Sequence, residues 1–196
     1  GEPERIGQFL VGRDRKVSIL RSDEVRGLQV RVSSVQPGDV DHKEGDRLGL
    51  PASTIARARR ILTLIESHES TLVFTNTREQ AEALAAQLQA LGAGQRVRVH
   101  HGSLSREVRE EGEKEFQQGK LKALICTSSL ELGIDIGSVD FIVQFTSPRE
   151  TTRLVQRIGR SGHSLKGTSR GVVLTIGTAD ILESAILVKR AREGRL

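Results

Sequence analysis

The chain has 196 residues, enough to bury the core of one large domain, and 36% of them are hydrophobic and 28% charged. Its formal net charge of +5, from 30 Lys and Arg against 25 Asp and Glu, is compatible with a phosphate-rich partner. All five aromatic residues are Phe, so base stacking on aromatic side chains is not the expected binding mode, and any nucleic acid must be held mainly by its backbone.

Disulfide, cysteine-based metal and membrane classes are also disfavoured. The single cysteine, Cys126, excludes an intramolecular disulfide and a metal framework built on cysteines. The paired His100 and His101 lack neighbours of ligand type, so no metal site is proposed. No apolar run approaches the roughly 18 residues that span a membrane, and no signal-peptide pattern opens the chain. We therefore expect a cytoplasmic protein without a membrane partner.

The first fifty residues differ in pattern from the rest of the chain. Two β-like runs, at residues 16–20 and 28–32, are separated by polar residues, which predicts either a β-hairpin or an addition to the edge of a sheet. Residues 36–49 are rich in Gly, Asp and charge and are predicted to form a loop or linker. We expect residues 1–50 to be a connector with a hairpin-like extension and residues 51–196 to be the main domain.

From residue 51 onward, helical and strand-like patterns alternate. Apolar residues three to four apart predict a helix over residues 55–65, and Thr77 with Gln80 has the pattern of a capping box that opens a helix closing at Gly92. Strands are predicted at residues 71–75, 97–100, 121–127, 141–145 and 171–176, and further helices at 105–116, 151–160 and 180–192. Such alternation predicts an α/β fold, in which a parallel β-sheet carries helices on both faces.

Functional groups in parallel α/β folds gather in the loops after the carboxyl ends of the strands. The first such loop is Asn76-Thr77-Arg78, which opens a capped helix. Free backbone amides, a hydroxyl and a guanidinium at a helix N-terminus can accept a phosphate. The alternative is an ordinary N-cap with a surface arginine.

The second loop, His101-Gly102-Ser103, also lies between a strand and a helix. Gly102 permits close approach of a backbone, and Arg109 can clamp the same phosphate. Arg106 and Arg109 share one helical face, which also carries glutamates. The alternative is therefore a solvated face of salt bridges.

The third segment, residues 126–137, begins directly after a buried strand. The three hydroxyls of Thr127, Ser128 and Ser129 can donate to phosphate oxygens, and Asp135, beyond Gly133, can accept from a ribose hydroxyl. Cys126 is interpreted as a buried strand residue.

The fourth segment, residues 156–163, places Arg157 and Arg160 one helical turn apart, with glycines that permit another surface to approach. The planar, permanently charged fork of arginine suits a triphosphate bound on that surface. The alternative is a structural salt bridge.

In order and spacing, these four segments resemble the second-domain motifs of superfamily-two helicases. Motif four corresponds to residues 74–78, the phosphate-contacting segment to 101–109, motif five to 127–135 and motif six to 156–163. Within the superfamily, the amino-acid sequences of the last two segments are most similar to those of the large helicase-related (Lhr) family. The resemblance covers about residues 51–180, and residues 6–50 resemble that family's connector between motor domains. It implies a RecA-like domain, the second of two.

The resemblance also implies roles for individual residues. Gly133 and Asp135 would face the ribose of ATP. Arg160 would be the arginine finger on the γ-phosphate, beside His163, which stands where many relatives have a second arginine. The remaining catalytic assignments are Gln156 and Arg157, which would help couple the nucleotide to the strand. The residues implied to contact nucleic acid are Asn76, Thr77, Arg78, Gly102, Ser103, Arg109, Thr127 and Ser128.

Two motifs of a complete ATPase site are missing from the sequence. Gly119-Lys120 is followed by Leu121, so it does not make a phosphate-binding loop, and the Asp-Glu-Val-Arg run at residues 23–26 precedes the whole domain and lacks a histidine. We therefore expect ATP and Mg²⁺ to be held mainly by a first RecA-like domain N-terminal to this chain. The chain alone should be inactive.

The sequence leads to one favoured function and two alternatives. We expect the second motor domain of an ATP-dependent helicase or translocase. Its substrate would be single-stranded DNA, RNA or a DNA–RNA hybrid, and the resemblance implies 3′ to 5′ movement and a role in DNA repair. The alternatives are a stand-alone nucleic-acid-binding module without an ATPase role, and a doubly wound domain that binds a small phosphorylated ligand.

Overall fold

The computed structural model describes residues 3–12, 15–19, 27–131, 136–162 and 168–195. The helices within these ranges are α1 (Pro3–Val11), α2 (Asp39–Leu48), α3 (Ala52–Glu66), α4 (Arg78–Ala90), α5 (Arg106–Gln117), α6 (Thr151–Ile158) and α7 (Thr178–Arg192). The strands are β1 (Leu28–Ser33), β2 (Thr71–Phe74), β3 (Val97–His100), β4 (Ala123–Cys126), β5 (Phe141–Phe145) and β6 (Ser169–Leu174). None of the described helices is both long and apolar enough to cross a membrane.

All six strands belong to one parallel sheet with the order β1-β6-β5-β2-β4-β3. In register, Val73 of β2 lies between Ile125 of β4 and Val143 of β5. Every residue of β2 and β4 is buried, as expected for strands that helices cover on both sides. The predicted RecA-like parallel α/β fold is confirmed.

Two apolar cores, one on each face of the sheet, make the three layers. On one face α3 and α4 contribute Ile61, Ile65 and Leu84, which pack against strand side chains such as Val73. On the other face the packing residues come from α5, α6 and α7, and they include Phe116, Leu154, Ile158, Leu187 and Val188. This arrangement fixes the helices relative to the strand ends.

The described part of the segment before residue 51 contains more regular secondary structure than the sequence predicts. Of the two predicted alternatives, the described residues form the edge addition: β1 pairs in parallel with β6, whereas residues 15–19 contain no strand. The division of the chain at residue 50 stays a prediction.

The predicted loop at residues 36–49 is wrong, because α2 occupies most of it. Asp41 stabilises the start of this helix, since its Oδ2 accepts from the backbone N–H of Gly38 at 2.9 Å and its Oδ1 lies 3.1 Å from Arg59 Nε on α3. Gly45 permits close packing, because a Cβ there would lie 2.6 Å from the Leu50 carbonyl oxygen. Tertiary contact with α3 thus overrides a polar, glycine-containing composition.

Close packing between α6 and β6 depends on the absence of a side chain at Gly171. A Cβ there would lie 2.6 Å from Ile158 Cδ1 and 2.8 Å from the Ile142 carbonyl oxygen. Gly112, inside α5, differs, because its nearest neighbour would be Leu124 Cδ2 at 3.9 Å.

We therefore predict opposite effects of the same substitution at these two glycines. Gly171→Ala should lower the free energy of unfolding by about 1–3 kcal/mol through overpacking. Gly112→Ala should raise it by roughly 0.5–1 kcal/mol, since alanine stabilises a helix interior relative to glycine. Urea denaturation of both variants measures the two values, and a neutral Gly171→Ala would contradict the packing account.

Candidate functional site

The first predicted loop follows β2 and begins α4 at the predicted N-cap. Thr77 Oγ1 accepts from the backbone N–H of Gln80 at 3.2 Å, while the Gln80 side chain accepts from the N–H of Asn76 at 3.1 Å. The Asn76 side chain is engaged within the protein: its Nδ2 donates to Thr146 Oγ1 at 3.0 Å and to the Ser147 carbonyl at 2.8 Å. Asn76 therefore ties the loop after β2 to the loop after β5, and Thr77 is the exposed hydroxyl of this loop.

The structure brings the first two predicted loops together through Arg78. Its Nη1 donates to Ser103 Oγ at 3.1 Å, and its Nε donates to Glu79 at 2.7 Å. The hydrogen bond from Arg78 lowers the pKa of the Glu79 carboxyl to about 2. Arg78 and Ser103 thus form one continuous polar surface, on which Glu79 stays ionised and partly neutralises the guanidinium.

The two arginines after the second loop have different environments. Arg106 is exposed and donates to Glu110 at 2.6 Å, which is the salt-bridged face anticipated as the alternative. Arg109 is half-buried, and its buried Nε has no hydrogen-bond partner among the described residues. Gly102 is exposed, and a Cβ there would meet nothing within 4 Å. Arg109 is therefore the arginine of this pair with an unsatisfied donor.

The two histidines before the second loop hold neighbouring segments in place. The buried His100 contacts Ser129 Oγ through Nδ1 at 2.9 Å and Glu113 through Nε2 at 2.7 Å. His101 Nε2 lies 2.7 Å from Glu82 of α4. In the part of the chain that the structure describes, no group of three or more His, Cys, Asp and Glu side chains is arranged to hold a metal.

The third loop opens with a half-buried Thr127 and an exposed Ser128, at the carboxyl end of β4. Cys126 is buried, as predicted, and burial raises the pKa of its thiol well above the usual range. The predicted nucleotide contacts Gly133, Asp135 and His163 lie outside the described residues.

Arg157 of the fourth segment is buried, with a relative exposure of only 1%. Its Nε and Nη2 donate to Glu131 Oε1 at 2.7 and 2.5 Å, and its Nη1 donates to Gln144 Oε1 at 2.8 Å and to Asn76 Oδ1 at 3.2 Å. The guanidinium also lies over the Phe74 ring, 5.2 Å from its centroid. Burial lowers the Arg157 pKa, and the hydrogen bonds to Glu131 oppose this shift. Arg157 therefore makes a structural ion pair, which was the alternative predicted from the sequence to binding a triphosphate.

Arg160 and Gln156 lie nearer the surface than Arg157. The half-buried Arg160 donates through Nε and Nη2 to the Glu131 carbonyl oxygen, at 3.0 and 2.6 Å. Gln156 is exposed on α6. Of the two predicted arginines, Arg160 is thus the one positioned near the surface.

Sequence reasoning missed Glu131, the acceptor that both arginines share. One signal was present, because Arg153, Arg157 and Arg160 are spaced four and three residues apart and therefore occupy one helical face. Three cations on a helical face that packs against the protein require an acidic partner. The third segment contains a carboxylate at position 131, close to the end of the strand that precedes it.

A groove of about 1050 Å³ opens beside the first loop, between the ends of β2, β5 and β6 and the start of α7. Its wall includes Thr146 and Arg149, which both have positive φ, 66° and 71°, a costly conformation for non-glycine residues. Several hydrogen bonds fix this loop: Asn76 and Gln144 each donate to Thr146, Asn76 also donates to the Ser147 carbonyl, and the Arg149 N–H donates to Ser147 Oγ. The loop after β5 is therefore held in a defined shape.

Comparison with known proteins identifies a matching protein family and several relatives that are much longer than this chain. The family model described as "Helicase conserved C-terminal domain" matches residues 54–164. The chain is 36% identical over 201 residues to the ATP-dependent helicase Lhr-Core of Saccharolobus solfataricus, covering 98% of the chain and 22% of that protein. It is 34% identical over 232 residues to the Lhr helicase/uracil glycosylase of Escherichia coli, covering 97% and 15%. The chain thus spans about a fifth of the length of the curated relatives it matches.

Solved structures agree with this comparison. Mycobacterium smegmatis helicase Lhr bound to ssDNA and AMP-PNP matches with a TM-score of 0.84 at 32% identity, over 98% of this chain and 25% of that one. The C-terminal domain of the DEAD-box protein Dbp5 matches with a TM-score of 0.58 at 19% identity, over 87% of each chain, and shares the fold.

The buried ion pair leads to a stability prediction. Arg157→Ala leaves the buried Glu131 carboxylate without its close partner, with only the 3.8 Å contact to Arg153, so it should lower the free energy of unfolding by about 3–5 kcal/mol. The control is Arg153→Ala, because Arg153 lies 3.8 Å from the same carboxylate but its side chain is 35% exposed; its cost should stay below about 1 kcal/mol. Chemical denaturation measures both, and similar values would show that the pair is not a main source of stability.

Proposed function

Because the chain belongs to the family of helicase conserved C-terminal domains and its relatives include the Lhr helicases, we propose that it is the second motor domain of an ATP-dependent helicase or translocase. The observation that carries the proposal is the arrangement at the carboxyl edge of the sheet. Predicted strand-contacting loops and the predicted arginine finger lie there around one buried network, through which Arg157 and Glu131 connect them. A motor domain must couple a strand site to a nucleotide site.

The proposed strand-binding surface consists of the loops after β2, β3 and β4, which are adjacent in the sheet. Several of its hydroxyls and one glycine are exposed, and the Arg109 Nε is a buried donor that a phosphate oxygen would satisfy. Backbone contacts of this kind fix a strand without reading its sequence. The proposed contacts are Asn76, Thr77, Arg78, Gly102, Ser103, Arg109, Thr127 and Ser128.

The proposed nucleotide contacts are Arg160, Gly133, Asp135 and His163. ATP and Mg²⁺ would be held mainly by the first RecA-like domain, because the sequence lacks a phosphate-binding loop. Arg160 fits the role assigned to it, since it is a half-buried, permanently charged group close to the surface, and such an arginine stabilises charge on the transferred phosphoryl group. Gln156 and Arg157 would couple this end of the domain to the strand surface.

The Mycobacterium smegmatis Lhr structure supports the choice of ligands, since that protein was solved with ssDNA and AMP-PNP. We propose single-stranded DNA as the substrate of this chain as well, with RNA or a hybrid as alternatives that backbone contacts do not distinguish. Movement from 3′ to 5′ and a role in DNA repair are proposed from the resemblance to the Lhr family.

The role of Arg160 is tested by rejoining the chain to a first RecA-like domain. Arg160→Ala should reduce ATP hydrolysis stimulated by single strands by about a thousandfold or more, because it removes a transition-state arginine. Arg106→Ala, whose guanidinium pairs with Glu110 on an exposed face, is the control and should retain activity. The isolated chain should not hydrolyse ATP. Equal turnover by wild type and Arg160→Ala would instead favour a stand-alone binding module.

The role of Arg109 is tested by the salt dependence of binding to single-stranded DNA. Loss of one phosphate contact should reduce the slope of log affinity against log salt by about 0.7. Arg109→Ala should show this change, whereas Arg106→Ala should leave the slope unchanged. Fluorescence anisotropy with a labelled oligonucleotide at several salt concentrations measures it, and an unaltered slope for Arg109→Ala removes that residue from the contact surface.

A further inference from the structure

One acidic residue receives hydrogen bonds from two arginines at the end of α6. The Glu131 carboxylate accepts from Arg157 Nε and Nη2, and the Glu131 backbone carbonyl accepts from Arg160 Nε and Nη2. A third arginine, Arg153, lies 3.8 Å from the same carboxylate oxygen. The inward face of α6 is therefore organised around position 131.

The carboxylate of Glu131 compensates a charge that is almost completely removed from water. The other acceptors of Arg157 are the neutral side-chain amides of Gln144 and Asn76. A buried guanidinium requires an opposite charge with good geometry, because an unpaired ion in a low-dielectric interior is strongly destabilising. Among the groups that Arg157 contacts in the described structure, Glu131 supplies that charge, and the ion pair joins α6 to the segment after β4.

Arg160 follows the last residue of α6 by two positions, so its location depends on how that helix is seated. Its backbone N–H donates to the Arg157 carbonyl at 3.1 Å, which links the two arginines through the main chain as well. Any displacement of Glu131 would move Arg157 through the carboxylate and Arg160 through the carbonyl. The Arg157–carboxylate contact and the Arg160–carbonyl contact would therefore change together when Glu131 moves.

We propose that Glu131 is the positioning residue for the arginine finger. Its carboxylate locks α6 through Arg157, and its carbonyl holds the Arg160 guanidinium oriented until the γ-phosphate of ATP on the first domain replaces that carbonyl as acceptor. The inference rests on the proposed function of Arg160. It also connects the two ends of the site, because Asn76 of the strand-side loop donates to the loop after β5 and accepts from Arg157.

The rival explanation is that Glu131 serves stability alone. Glu131→Gln separates the two, because glutamine keeps the size and one acceptor oxygen but loses the charge. Glu131→Ala removes the carboxylate that accepts from Arg157 and keeps the backbone carbonyl that accepts from Arg160, and thermal unfolding shows whether this variant still folds. If Glu131→Ala does not fold, Glu131→Gln carries the test. The matched control is Glu150→Gln, an exposed carboxylate 3.6 Å from Arg153 at the start of the same helix.

The experiment measures kcat and KM for ATP in the chain joined to its first RecA-like domain, with saturating single-stranded DNA. Glu131→Ala should reduce kcat by about 100-fold, the order of loss when a catalytic group is displaced by about 1 Å, while KM stays within about threefold. Glu131→Gln should lose about tenfold, since the hydrogen bonds lose their charge assistance. Glu150→Gln should remain within about twofold of wild type. A folded Glu131→Gln variant with wild-type kcat would overturn the proposal.

A double substitution distinguishes failure of this inference from failure of the proposed function. If Glu131 acts through Arg160, adding Glu131→Gln to Arg160→Ala should cause no further loss of kcat. Multiplicative losses would show that Glu131 acts on turnover by another route, which contradicts the inference while leaving Arg160 as the finger. A fully active Arg160→Ala enzyme would contradict the proposed function itself.

Discussion

The site depends on one buried charge, the guanidinium of Arg157. It lies beneath the carboxyl edge of the sheet, over the ring of Phe74, and donates to Glu131, Gln144 and Asn76. The loops after β2 and β4, strand β5 and helix α6 therefore share one hydrogen-bonded centre. Because removing any partner would leave a charge or polar group unsatisfied in a low-dielectric interior, the loops cannot rearrange independently.

In the proposed motor, this constraint would connect the strand-binding loops mechanically to the arginine finger. Parallel strands deliver their following loops to the same edge, so the proposed strand-binding loops and Arg160, the proposed arginine finger, are positioned by the same end of the sheet. If the strand-binding loops and Arg160 were flexibly connected, a movement caused by ATP binding would not be transmitted from one to the other. The buried network instead makes them one unit, and the positive φ values of Thr146 and Arg149 show that the loop after β5 tolerates backbone strain to join it.

Sequence reasoning succeeded where the determining interactions are local and failed where they are not. The helix N-cap at Thr77 and the strand–helix alternation follow from neighbouring residues, and the structure has them. Helix α2 was predicted as a loop, because its stability comes from the Asp41–Arg59 ion pair and from the close approach of Gly45 to Leu50. The acceptor Glu131 was missed for the same reason, since its partners lie more than 25 residues further along the chain.

The sequence by itself therefore determined the class of fold, the order of elements and the motifs that relate the chain to helicases. All of these depend on periodicity, capping and short spacings. Only the tertiary structure decided how deeply each arginine on α6 and directly after it is buried. Their spacing places Arg153, Arg157 and Arg160 on one face, but which guanidinium is buried depends on Phe74, Gln144 and Glu131, which the sheet brings together from three separate parts of the chain.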